Sequence, residues 1–138
     1  MKNKTLNLFI DGASRGNPGP SGIGVLILGE DGEKIKEVYK YIGQTTNNVA
    51  EYNALLYGLD EALMLKADNV VLNLDSELVV KQLNGEYRVK DASMKIFFEK
   101  ALHILKSFKS FEIKHIDREE NKEADKLANK AINLAGLS

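Results

Sequence analysis

The apolar residues of this chain keep a period of two as far as Gly43, then change to a period near 3.6, and return to strand only between helices. Leu6, Leu8 and Ile10 alternate in a first strand that ends near Asp11; Ile23, Val25 and Ile27 alternate in a second. Glu30-Asp31-Gly32-Glu33 supplies an Asp-Gly turn into a third strand, Lys34 to Gly43. Val49, Tyr52, Leu56, Leu59 and Leu63 then repeat at helical spacing and predict a helix from about Asn48 to Leu65. The apolar run Val70 to Leu74 reads as a central strand covered on both faces, and it too ends in an aspartate, Asp75. A short helix carries Val79, Val80 and Leu83 and stops at Gly85. Met94 to Phe108 predicts a longer helix, Phe111 to Ile116 a last strand, and Ala124 to Leu134 a final helix closed by Gly136.

The order β-β-β-α-β-α-α-β-α predicts an α/β fold: a hairpin-built antiparallel part, then parallel strands joined by helical crossovers. Ligands of such mixed sheets gather outside the carboxyl ends of the parallel strands. Asp11 and Asp75 both stand at such ends, so the fold brings two distant carboxylates to one rim. At 138 residues, with no repeat or linker, the chain reads as a single domain over 1–138. Apolar content of 43% and charged content of 28% are ordinary for a soluble protein. The sequence offers no membrane span and no secretory start; with no cysteine it suits a reducing cytoplasm, and we expect a cytoplasmic monomer without membrane contact. The net charge of −1 argues weakly against a nucleic-acid partner, although basic residues outnumber acidic ones 12 to 9 after residue 80.

The loop "DGASRGNPGPSGIG" is neither a P-loop, lacking Gly-Lys-Ser/Thr, nor a dinucleotide fingerprint, because it leads into a strand. Its glycines either let a large polar ligand approach the backbone or serve only to turn a wide hairpin. In "TTNNVAEYNALLYGL", Asn48 and Glu51 have capping-box spacing, yet a helix starting at the sheet rim would also deliver Glu51 toward Asp11 and Asp75. Thr46, Asn47 and Asn48 are neutral hydrogen-bonding groups suited to phosphate oxygens and base edges. Asp125, in "HIDREENKEADKLA", is by itself an ordinary charge on a lysine-rich helix. Four acids from four elements say more together than apart.

Taken together, "DGASRGNPGPSGIG", "TTNNVAEYNALLYGL", "LDSELVVKQL" and "HIDREENKEADKLA" resemble the four motif blocks of type 1 ribonuclease H, in that family's order and across nearly the whole chain. The resemblance implies a ribonuclease H-like fold with a five-stranded mixed sheet flanked by helices. It implies an endoribonuclease that hydrolyses the RNA strand of an RNA–DNA hybrid by two-metal-ion catalysis, leaving 5′-phosphate and 3′-hydroxyl ends. The alternative is a catalytically weak module of the same fold that binds hybrid or duplex RNA. The metal-site carboxylates would be Asp11, Glu51, Asp75 and Asp125, holding two Mg²⁺ ions in the presence of substrate, with Mn²⁺ as a substitute. An all-carboxylate site suits so hard a cation.

By the same resemblance Gly12, Ala13, Asn47 and Ser76 would track the RNA strand, whose 2′-hydroxyls distinguish it from DNA. Asn17, Thr46 and Asn48 would face the DNA strand. Glu77 stands where the family often has a glutamine that binds the minor groove. His115 occupies the place of a mobile histidine that assists product departure, but it alternates with Phe111 and Ile113 as a packed strand residue would. Arg118, in the same loop, is the other source of positive charge at the scissile phosphate. An N-terminal hybrid-binding module is not expected, and the segment "GEYRVKD" is short where some members carry a basic, tryptophan-containing protrusion.

Overall fold

The computed structural model describes residues 3–136; Met1, Lys2, Leu137 and Ser138 lie outside it. Strands β1 (Thr5–Ser14), β2 (Gly19–Leu28) and β3 (Lys34–Thr45) form an antiparallel meander. Helix α1 (Asn47–Met64) then crosses to β4 (Asn69–Leu74), which pairs with β1 in parallel. Helices α2 (Glu77–Leu83) and α3 (Ala92–Leu105) lead to β5 (Ser110–His115), parallel to β4. A short 3₁₀ turn, Arg118–Asn121, precedes α4 (Lys122–Ala135). The sheet order is β3-β2-β1-β4-β5, the five-stranded mixed sheet that the alternation and crossovers predict. No helix among the described residues is long and apolar enough to cross a membrane.

Strand alternation separates the two faces of the sheet. Leu6, Leu8, Ile10, Val25, Ile27, Val70, Leu72 and Leu74 are essentially inaccessible and share one face, beneath Tyr52, Leu55 and Leu59 of α1 and Leu105 of α3. Burying each such leucine or isoleucine contributes about 2 kcal/mol. Helix α4 covers the other face, and the glycines of "SGIG" let it do so. A Cβ on Gly24 would stand 2.1 Å from the Ala124 carbonyl oxygen, and one on Gly22 2.5 Å from that of Ala128. Within the apolar run of β4, Asn73 is buried but satisfied: its Nδ2 donates to Asn7 Oδ1 at 2.6 Å and to the Leu8 carbonyl at 2.9 Å.

Four local expectations change. Strand β1 does not end near Asp11 but continues to Ser14 against β2; only its parallel neighbour stops, at Leu74. Helix α1 is capped by Thr46, whose Oγ1 accepts from the Val49 N–H at 3.3 Å, so no capping box forms between Asn48 and Glu51. Helix α3 ends at Leu105, short of Phe108. Gly136 ends α4 with φ −71°, without the left-handed turn that Gly85 (φ 80°) makes after α2.

Candidate active site

The register of β1 and β4 places the first two acids. Thr5 pairs with Asn69 and the pairing runs in step to Ile10 with Leu74, so the next residue on each chain is an aspartate, Asp11 or Asp75. The side chain of Asn121, 1% exposed, ties the two strand ends together. Its Nδ2 donates to the Ile10 carbonyl at 2.8 Å and to Asp75 Oδ2 at 3.1 Å. The third acid arrives because Gly12 has no side chain. A Cβ there would lie 2.3 Å from the Ala50 carbonyl group and 2.5 Å from the Glu51 nitrogen. That contact sets the first turn of α1 directly on β1, and the Gly12 N–H donates to Glu51 Oε1 at 2.8 Å. The carboxylate is thus turned into the sheet rim, away from its own helix start. One oxygen from each of Asp11, Glu51 and Asp75 lies within 4.8 Å of the others. Asp125, in the first turn of α4, lines the same cleft of about 370 Å³.

Two of these acids, Asp11 and Glu51, resist ionisation. Asp11 and Glu51 are each only 6% exposed. The Asp11 carboxyl is pushed far above the ordinary range, first by burial, then by the charge and hydrogen bond of Glu51, the charge of Asp75 and a hydrogen bond with Asp125. Burial also raises Glu51, to about 7, against the opposing pull of hydrogen bonds from Asp11 and Gly12 and the charge of Arg118. Glu51 Oε2 is buried without a hydrogen-bond partner among the described residues. Clustered carboxylates with an unpartnered inward oxygen, and no cysteine in the chain, match the donor set of a hard divalent cation. A cation here would relieve both the repulsion and the unpaired oxygen.

The remaining sequence candidates divide. Gly12, Ala13, Asn47, Asn48, Ser76 and Arg118 line the cleft. Asn17 lies beside it, its Oδ1 accepting from the Asn47 N–H at 3.1 Å, while Thr46 serves as the α1 cap. Ser76 also caps α2, accepting from the Val79 N–H at 3.3 Å. Glu77 is exposed and pairs with Lys81 at 2.9 Å; it does not line the cleft. His115 is exposed and not packed, with Nε2 3.3 Å from the Asp75 carbonyl oxygen, and it too is absent from the cleft wall. Two residues escaped sequence reasoning. Asn121 and Asn129, four residues either side of Asp125, each donate to a carboxylate of the site. Their spacing of one helical turn about Asp125 was the available signal.

Residues 9–131 match the family model described as reverse transcriptase-like. The chain is 39% identical over 130 residues to ribonuclease HI of Halobacterium salinarum, covering 94% of this chain and 65% of that protein. It is likewise 39% identical to a bifunctional protein of Mycobacterium tuberculosis, of which it spans only 35%. Among solved structures, LC11-RNase H1 in complex with an RNA/DNA hybrid superposes with a TM-score of 0.90 at 44% identity, covering 96% of this chain and 99% of that one. Motif order, sheet topology and these likenesses agree: the chain belongs to the type 1 ribonuclease H family.

Proposed function

We propose that residues 1–138 act as a single domain that hydrolyses the RNA strand of an RNA–DNA hybrid internally, leaving 5′-phosphate and 3′-hydroxyl ends. The observation that carries this reading is the convergence of Asp11, Glu51 and Asp75 within 4.8 Å in a cleft walled by Asn47, Asn48 and Ser76. Two divalent cations, magnesium by preference and manganese as substitute, supply an activated water, charge at phosphorus and stabilisation of the departing 3′ oxygen. Asp11, Glu51, Asp75 and Asp125 hold them. Ser76, Asn47 and the backbone of Gly12 and Ala13 orient the RNA strand through phosphate and 2′-hydroxyl contacts, which carry no base information. Asn17, Thr46 and Asn48 face the DNA strand, and Arg118 offers its guanidinium to the phosphate at the cleft. LC11-RNase H1, solved with an RNA/DNA hybrid, supports that choice of substrate.

Labelled hybrid, duplex RNA and duplex DNA, each incubated with and without magnesium, test the proposal. We expect internal cutting of the RNA in the hybrid only when the metal is present. Cleavage that survives excess chelator, or equal cutting of an all-DNA duplex, refutes it.

A further inference from the structure

Asp125 is not one of the three acids whose oxygens lie within 4.8 Å of one another; it meets Asp11 from the first turn of α4, and its other carboxylate contact comes from α4 itself. Asn129, one turn further along α4, donates from Nδ2 to Asp125 Oδ1 at 3.2 Å and to the Asp125 carbonyl at 3.0 Å. On the other side, Asn129 Oδ1 accepts from the Arg15 guanidinium at 3.2 Å, and Arg15 also reaches the Asn129 carbonyl at 3.5 Å. Arg15 is exposed, in the glycine-rich loop between β1 and β2. That loop is itself anchored: Ser14 Oγ donates to the Thr45 carbonyl at 2.9 Å, and the Arg15 N–H donates to Pro20 O at 2.9 Å.

An asparagine amide has a donor end and an acceptor end, and its neighbours decide which way it faces. Here a cation stands at one end and a carboxylate at the other. Rotating the amide by half a turn would set its carbonyl against Asp125 and its NH₂ against the guanidinium, two repulsive contacts. Arg15 thereby fixes the polarity of Asn129, and Asn129 holds one oxygen of Asp125 while leaving the other for the cleft. We propose that Asn129 and Arg15 are positioning residues acting in series on Asp125, with the loop arginine setting the aim of a metal-binding carboxylate that it never touches. This rests on the reading of Asp125 as a metal ligand. It also gives the loop a role in the site besides admitting substrate.

The test compares wild type with Asn129→Ala, Asn129→Asp, Arg15→Ala, the Arg15→Ala/Asn129→Ala double variant, and Asp125→Asn as reference. Two readouts are taken: Mn²⁺ titrated calorimetrically into the free protein, and the Mg²⁺ midpoint and KM for cleavage of a labelled hybrid. Partners that orient a metal ligand typically alter affinity 10- to 100-fold. We therefore expect Asn129→Ala to weaken Mn²⁺ binding and raise the Mg²⁺ midpoint by about 10-fold, with KM for hybrid little changed. Asn129→Asp, which turns a carboxylate toward Asp125, should be worse than alanine. Arg15→Ala should shift both readouts less, in the same direction, and add nothing in the Asn129→Ala background, since residues in one chain of contacts are non-additive.

Lower melting temperatures with both metal readouts unmoved would make Asn129 merely structural and overturn the proposal. Additive effects of the two substitutions would overturn the serial link. A wild type that fails to cleave, or an Asp125→Asn variant that cleaves normally, overturns the reading of the site and this inference with it. Normal loss at Asp125→Asn beside unaffected Asn129 variants overturns this inference alone.

Discussion

Replacing Asp11 with asparagine separates a crowded metal site from an ordinary structural aspartate, because the two predict opposite signs. The Asp11 carboxyl is held far above its ordinary pKa of 3.8, chiefly by burial and then by Glu51. A raised carboxyl contributes stability that is complete below the unfolded pKa and is lost as pH rises toward the folded one. At pH 7 the metal-free fold must therefore keep a proton on a group that ionises freely when unfolded. At about 1.4 kcal/mol for each pH unit above 3.8, the ceiling on that penalty is about 4 kcal/mol. Water entry and local relaxation reduce it, and we expect about 1–2 kcal/mol to be recovered by Asp11→Asn, which keeps the shape without the charge. In a domain of this size that raises Tm by roughly 3–7 °C. The assay is a set of thermal melts of both proteins in chelator at pH 7 and near pH 4, then at pH 7 with millimolar magnesium. The variant should be more stable at pH 7, its advantage should shrink near pH 4, and it should lose most of the stabilisation that magnesium gives wild type by mass action. It should also lose cleavage. A lower metal-free Tm for the variant, an advantage independent of pH, or equal stabilisation of both proteins by magnesium would refute the reasoning.

Four other changes probe the rim and the loop beside it. Gly12→Ala forces a Cβ onto the Ala50 carbonyl group, at 2.3 Å before anything moves; overpacking of this kind costs about 1–3 kcal/mol, and both cleavage and the denaturant midpoint should fall. Asn121→Ala releases Asp75 and leaves the Ile10 carbonyl without its donor, so chemical denaturation should show a loss of about 1–3 kcal/mol and steady-state kinetics a lower kcat. Arg118→Ala removes the cation of the cleft and should lower kcat by on the order of 10²-fold, as loss of a preorganised donor does. His115→Ala, outside the cleft wall, should lower kcat far less under the same steady-state assay. If the histidine change proves the more damaging, the assignment of roles to these two residues is reversed.

Hydrophobic period and crossover length were enough to read the element order and the mixed sheet from the chain, because both are local consequences of which residues can share a face. The same reading placed Asp11 and Asp75 at one rim. Glu51 was ambiguous. Its spacing from Asn48 suits a capping box as well as a site carboxylate, and only contact between α1 and Gly12 decides between them. Once Thr46 takes the cap, the Glu51 side chain is free to turn toward β1. For His115 and Arg118 a linear pattern left two sources of positive charge at one loop. The 3₁₀ turn Arg118–Asn121, invisible to apolar periodicity because it carries no apolar residue, is what carries the arginine to the cleft and leaves the histidine at the strand end. The glycines of "SGIG" were read with the ligand-approach loop, whereas Gly22 and Gly24 serve the packing of α4 on β2.

By itself, then, the sequence determined which residues must be strand or helix, that the sheet is mixed, and that acids lie at the ends of its elements. Tertiary structure decided which of those acids are mutually close, how far each is buried, and which amides hold them. Asn121 spans from the 3₁₀ turn to β1 and Asp75, and Arg15 reaches from a hairpin loop to Asn129 on α4. The physical reason is one of range. Secondary structure follows from neighbours a few residues apart, whereas the pKa of Asp11 and the aim of Asp125 depend on charges and donors brought within a few ångströms from distant parts of the chain.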